Sequence, residues 1–218
     1  MLIEGVLDLL FPPRCGGCRR SGSWFCESCR GAARALPALL CARCSRQCSV
    51  TPCLMCSSPT PGLDSITAWF ALAGPVREAI HRLKYEDRPR LATPLADLGV
   101  SLSRVPPGVV VPVPLGPRRH RSRGYNQAEV LALRIAKRSG RECLSGLVRS
   151  RETDAQVGRG GEDRRRAMEG AFAWISPIPD EIVVVDDVVT TGATLMECAR
   201  AARAAGVRRV HGLAVALG

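Results

Sequence analysis

A chain of 218 residues can bury one hydrophobic core and still carry a small module beside it. Its 46% hydrophobic and 23% charged residues exclude an intrinsically disordered chain, and no run reaches the ~18 uninterrupted apolar residues of a membrane span. The net charge of +11 points to anionic partners: phosphates, nucleic acid or acidic lipid.

Met1–Phe11 is apolar but broken by Glu4 and Asp8, and it has neither a basic leader nor a small-residue cleavage site. It is read as a short amphipathic helix packed on the body of a cytoplasmic protein. Residues 12–62 are rich in Cys, Pro and Arg and lack an apolar period, so this segment cannot form a core alone. Nine of the eleven cysteines lie here, and eight of them form Cys-x-x-Cys pairs: Cys15/Cys18, Cys26/Cys29, Cys41/Cys44 and Cys53/Cys56. Such pairs let two thiolates meet one tetrahedral metal. Disulfides would require an exported protein, and a redox dithiol would need only one pair. Four pairs predict two structural zinc ions, whose binding supplies the folding energy of the module. Sequential pairing, Cys15/Cys18 with Cys26/Cys29 and Cys41/Cys44 with Cys53/Cys56, is favoured because its gaps of seven and eight residues close at less entropic cost. The interleaved alternative, with gaps of 22 and 23 residues, is nearer to usual ribbon spacing and stays open.

Residues 63–218 change character. Ile66–Leu72 reads as a strand, and Pro75 opens a helix with Val76, Ala79, Ile80 and Leu83 on one face. Leu91, Leu95, Leu98 and Leu102 mark a second amphipathic helix. Val109–Val111 is a strand, Tyr125–Lys137 a helix, Cys143–Val148 a strand, and residues 149–166 an Arg-rich loop without period. Gly170–Ile175 and Ile182–Val185 are strands. Ala193–Ala205 is a helix stopped by Gly206, and Val210–Leu217 is the last strand. Strands alternating with helices predict an α/β domain: a parallel sheet covered on both faces, preceded by the small Cys-rich module, residues 1–62.

The chemistry concentrates in Glu181–Leu195. Four β-branched residues lead to adjacent carboxylates, Asp186 and Asp187, and then to Thr190, Thr191, Gly192, Ala193 and Thr194 at a helix start. Parallel sheets bind ligands at such strand ends. Free amides and the helix dipole would cradle a phosphate, with Gly192 allowing close approach. The carboxylates suit ribose hydroxyls or hydrated Mg²⁺. A plain helix cap would explain less of this order. The P-loop and dinucleotide glycine patterns are both absent. His81, His120 and His211 are isolated, and Cys48, Cys143 and Cys198 have no assigned role.

The stretch 181–195 resembles the PRPP-binding motif of type I phosphoribosyltransferases, PRPP being 5-phosphoribosyl-1-diphosphate. The whole chain resembles the competence-associated ComF family through Leu9–Cys15 and its knuckles, Leu83-Lys84-Tyr85, Val111–Leu115, Pro117-Arg118-Arg119, Arg123–Ala128, Gln156-Val157-Gly158, Arg164–Arg166 and Gly170–Phe172. The resemblance implies a type I phosphoribosyltransferase-like fold with a double zinc ribbon, and phosphoribosyl transfer as its activity, with Mg²⁺ and PRPP bound. It assigns Asp186 and Asp187 to the ribose and catalysis and Thr190–Thr194 to the 5′-phosphate. Pro114 and Leu115 fall to the pyrophosphate turn, and Lys84, Arg118 and Arg119 to ligand charge. The alternative it leaves open is a non-catalytic adaptor in DNA uptake, with PRPP as a regulatory ligand and single-stranded DNA and proteins of the DNA-uptake machinery as partners. The chain departs from the family at Arg159-Gly160-Gly161, where Leu followed by a Ser and Arg is usual after Gln-x-Gly, and at Ala167, where Asn is usual. Thr190 stands where purine-salvage relatives carry an acid, which disfavours hypoxanthine-type activity.

Overall fold

The structure, a computed structural model, describes residues 12–36, 62–102, 105–150 and 169–218. The expected N-terminal helix, the knuckle cysteines Cys41, Cys44, Cys53 and Cys56, the unpaired Cys48, and nearly all of the Arg-rich loop lie outside the described residues.

The centre is a parallel sheet in the order β1-β6-β5-β2. It comprises β1 (Ser65–Ala71), β2 (Val109–Pro112), β5 (Glu181–Val189) and β6 (Arg209–Leu217). Strand β5 lies between β6 and β2, so both its edges are paired. That position explains its composition: Ile182, Val183, Val184 and Val185 are all fully buried, and β-branched chains fill a pleated surface covered on both sides.

Alternation along the strands feeds two cores. Val183, Val185, Leu213 and Val215 pack beneath α2 (Gly74–Tyr85), α3 (Ala92–Leu102) and α5 (Gln127–Ser139). Ile182, Val184, Val210 and Ala214 pack against α6 (Ala193–Ala205) and a hairpin of β3 (Leu147–Arg149) with β4 (Phe172–Trp174). The expected α/β sheet with helices on both faces is therefore present.

The details differ where tertiary contacts outweigh local pattern. In place of a strand over Cys143–Val148, Cys143 makes one parallel bridge to Val110 before the chain turns away into β3. Gly146 permits this: a Cβ there would stand 2.5 Å from the Trp174 ring, which lies across the backbone. The expected helix from Tyr125 begins at Gln127, because the Asn126 side chain accepts the Ala128 N–H at 3.0 Å and fixes the N-cap. The strand ending in the acids is also longer. Strand β5 continues to Val189, with Asp186 opposite Ala214 and Val188 opposite Ala216.

One element was not anticipated. The basic run Pro117–Arg123 forms the short helix α4, with Pro in its first turn and a left-handed Gly124 at its end. No residue of α4 is buried, which is why the run carries no apolar period.

The Cys-rich segment packs directly on this body, through a short helix α1 (Glu27–Gly31) and the turns before it. Cys15, Phe25 and Cys29 share a core with Phe70, Val76 and Leu91. Residues 34–36 run along the outer edge of β1, with Leu36 N–H donating to Trp69 O and Ala71 N–H to Arg34 O, both at 2.9 Å. Among the described residues no helix is long and apolar enough to cross a membrane.

Candidate functional site

The C-terminal end of β5 meets three other elements. Val113 N–H donates to Val185 O at 2.9 Å, extending the β2 pairing to the residue before the acids. The Asn126 amide donates to Val113 O at 3.0 Å and pins the turn that carries Pro114 and Leu115. Beyond Val189, the exposed Thr190 and Thr191 lead to Gly192, whose φ of 76° is left-handed and favours glycine. Helix α6 then starts with no acidic residue in its first turn, so its positive dipole end is not neutralised there. The Ala193 N–H is 3.4 Å from Thr191 Oγ1.

Alternation aims Asp187 at the α2 side of the sheet and Asp186 at the α6 side. Asp187 is buried, and Lys84 Nζ from the last turn of α2 stands 2.9 Å from its Oδ2. The contact is ionic, since Oδ2 has no partner in hydrogen-bond geometry. Asp186 Oδ1 accepts the Asp187 N–H at 2.8 Å. Loss of solvation and then the Asp187 charge hold the Asp186 carboxyl well above its ordinary 3.8, while Lys84 and the amide oppose the shift only in part. The acids are therefore unequal: one is ion-paired, the other poorly solvated and easier to protonate. This resting state stores binding potential, because a cation would relieve the mutual repulsion. Carboxylate oxygens are the hard donors that Mg²⁺ selects, and Asp187 Oδ2 lacks a hydrogen bond, so the pair fits that ion.

Sequence reasoning named Lys84 but missed three residues of the surrounding segments. Tyr125 donates its hydroxyl to Leu83 O and fixes the end of α2. Asn126 holds the Pro114 turn. Arg149 of β3 lies over the Phe172 ring at 5.6 Å, and its Cδ is 3.4 Å from where a Gly116 Cβ would stand. Tyr125 and Asn126 follow directly on Arg123-Gly124, and the cap pattern before an apolar period was the available signal for Asn126. Arg118 and Arg119 are exposed on α4, which begins just after that turn.

At the other end of α2 lies a metal-type cluster. The sulfurs of Cys15, Cys18, Cys26 and Cys29 are all within 4.8 Å of one another. These are the two pairs that sequential pairing joins. The other expected quartet, Cys41/Cys44 with Cys53/Cys56, falls outside the described residues. Cys26 N–H points at Cys15 Sγ at 3.3 Å, and Cys18 Sγ is 3.6 Å from Cys26 Sγ. Burial opposes ionisation of Cys15, but amides of Cys26, Cys18 and Gly17 aimed at its sulfur bring its pKa from 9.0 down to about 6. Burial and the neighbouring sulfurs push Cys29 up. One thiolate is thus ready at neutral pH, and a bound cation would ionise the rest. Four sulfurs at a Gly16-Gly17 knuckle form the donor set of a structural zinc site.

No protein-family model matches the chain. Over 88% of its length it is 32% identical to DNA utilization protein YhgH of Escherichia coli strain K12, covering 91% of that protein. It is 28% identical to Competence protein F of Haemophilus influenzae, over 85% of this chain and 93% of that one. Competence protein ComFC of Bacillus subtilis is 28% identical over 80% of this chain and 76% of its own.

Proposed function

Because this chain belongs to the ComF family, we propose that it serves competence or DNA utilisation by binding PRPP with Mg²⁺ in the crevice at the end of β5, and transfers the phosphoribosyl group from there. The observation that carries this reading is the unequal acid pair, with Asp187 buried and ion-paired and Asp186 half-buried with its pKa raised, set before the glycine-hinged turn that opens with the exposed Thr190 and Thr191.

Asp186 and Asp187 hold the ribose hydroxyls and the metal, and binding the metal offsets the repulsion between them. Backbone amides at the start of α6, with Thr191 and Thr194, bind the 5′-phosphate. The turn at Pro114 and Leu115 receives the pyrophosphate, and Lys84, Arg118 and Arg119 supply positive charge to it. Mg²⁺ held by Asp186 and Asp187 would supply positive charge against the leaving pyrophosphate. Lys84, 2.9 Å from Asp187 in the resting state, exchanges that carboxylate for the incoming anion.

Calorimetry with PRPP and Mg²⁺ tests the binding. Wild type binds, and the Asp186→Asn/Asp187→Asn variant does not. Equal affinity in the two overturns the ribose assignment. A pyrophosphate-release screen across nucleobases then tests transfer.

The exposure of Arg118, Arg119 and Arg121 on α4 favours a second reading, in which PRPP regulates a protein that handles single-stranded DNA. Replacing Arg118, Arg119, Arg121 and Arg123 with Gln would flatten the salt dependence of DNA binding by roughly 0.7 in log–log slope for each phosphate no longer bound. Identical slopes remove α4 from any role in holding DNA.

A further inference from the structure

We infer that Arg82 is a positioning residue that couples the cysteine knuckle to the acidic crevice, so that metal in the knuckle sets how Lys84 meets Asp187. The inference rests on the ligand-binding reading of that crevice.

The argument begins at the knuckle. Cys26 N–H is turned toward the Cys15 sulfur at 3.3 Å, while the carbonyls of Gly16 and Gly17 face α2. Arg82 of α2 takes both: its guanidinium donates to Gly16 O and, at 3.0 Å, to Gly17 O. The same guanidinium meets Glu78 at 3.3 Å and Glu86 at 3.7 Å, one helical turn to either side. Glu86 in turn receives Arg19, just past the knuckle, at 3.3 Å. A buried guanidinium that donates to two carbonyls and to Glu78, with Glu86 in ionic contact, tolerates little displacement, because each lost hydrogen bond leaves an unsatisfied polar group.

The packing between the same two parts is equally close. A Cβ on Gly16 would stand 2.6 Å from Leu91 and 3.2 Å from Ala79, and one on Gly17 would stand 2.8 Å from Pro75 and 2.6 Å from Cys29 Sγ. The knuckle therefore rests on α2 without slack. If the four sulfurs spread when metal leaves, the Gly16-Gly17 turn moves and α2 moves with it.

Residues 82, 83 and 84 project about 100° apart around the helix. Arg82 faces the knuckle, Leu83 offers its carbonyl to the Tyr125 hydroxyl, and Lys84 reaches Asp187 at 2.9 Å. Three consecutive residues thus tie the Cys cluster, the linker before α5 and the acidic crevice to one helical turn. Held there, Lys84 gives up its rotamer freedom before ligand arrives, which lowers the cost of binding an anion.

The test separates coupling from mere stapling. Affinity for PRPP with Mg²⁺ is measured by calorimetry in zinc-loaded wild type, Arg82→Met, Lys84→Met and the double variant, with Arg82→Lys as a folding-safe alternative. Coupling predicts that Arg82→Met weakens affinity about tenfold when Lys84 is present and less than twofold in the Lys84→Met background. Chelation of zinc should follow the same pattern. Equal losses in both backgrounds, or none, overturn the inference. Amide hydrogen exchange over residues 83–86 and 185–189 gives a reading independent of ligand: coupling predicts faster exchange in both segments in Arg82→Met and on chelation, and unchanged exchange in 185–189 refutes it. Wild type that binds no PRPP refutes the ligand reading instead, and hydrogen exchange alone then decides the coupling.

Discussion

Replacing Lys84 with Met removes the counter-charge of a buried carboxylate while keeping the aliphatic stem. At the observed 2.9 Å and an effective dielectric constant near 20, the gross attraction is about 6 kcal/mol. Most of that is offset by desolvation, and breaking a fully buried pair costs about 3–5 kcal/mol in practice. The Lys84 side chain is 22% exposed while Asp187 is 4% exposed, so water screens the lysine end and a loss of about 2 kcal/mol is expected. In a chain of this size that lowers Tm by roughly 4–8 °C. The assay is urea and thermal unfolding at pH 7 of zinc-loaded protein, followed by circular dichroism. The companion variant Lys84→Met/Asp187→Asn decides the cause. Removing both charges leaves no unpaired charge at position 187, so at least half of the lost stability should return. If the double variant instead loses the sum of the two single losses, the destabilisation comes from packing, and the ion-pair reasoning is wrong.

Asp186→Asn should stabilise the ligand-free protein at neutral pH, since Asn keeps the acceptor for the Asp187 N–H and ends the desolvation cost. The folded pKa of Asp186 is raised, so the folded state holds this proton longer than the unfolded one, and wild type loses stability as pH rises above 3.8. The advantage of Asn must therefore vanish below 3.8, and unfolding measured across pH checks it. Metal analysis of anaerobically prepared protein should find two zinc ions per chain, and Cys15→Ser should lose one of them; protein with none refutes the knuckle chemistry. Gly99→Ala would place a Cβ 1.9 Å from Trp69 Cε3, so overpacking of about 3 kcal/mol outweighs the ~1 kcal/mol gain in helix propensity. A melting temperature at or above wild type would show that Trp69 can move aside.

Much of this architecture was legible in the order of residues. Ile182–Val185 announced a strand buried on both faces, Gly206 ended α6 where expected, and the apolar face of α2 was readable from Val76 to Leu83. These features depend on backbone propensity, side-chain period and caps, which act within a few residues. The pairs Cys15/Cys18 and Cys26/Cys29 pointed to a metal-type cluster by spacing alone. Helix α4 escaped because its signals were only Pro117 and Gly124, with no apolar residue between them to give a period. Cys143–Val148 looked like a strand but lost its pairing to the Trp174 ring over Gly146.

The site divides in the same way. Asp186, Asp187 and the Thr-Thr-Gly-Ala-Thr turn stand together in the sequence, so their joint presence at a strand end needed no structure. Their difference did: it arises because β5 runs on to Val189, leaving Asp187 buried and Asp186 half-buried, while Lys84 arrives from another helix and reaches Asp187. Which cysteines converge was likewise open until Cys15, Cys18, Cys26 and Cys29 were seen within 4.8 Å. The bond from Arg82 to the knuckle had no sequence signal, since an Arg in a helix is ordinarily read as solvated. Local order determines which groups are available. The pairing of charges and carbonyls from distant segments is decided by register and packing, because burial alone makes those pairings strong.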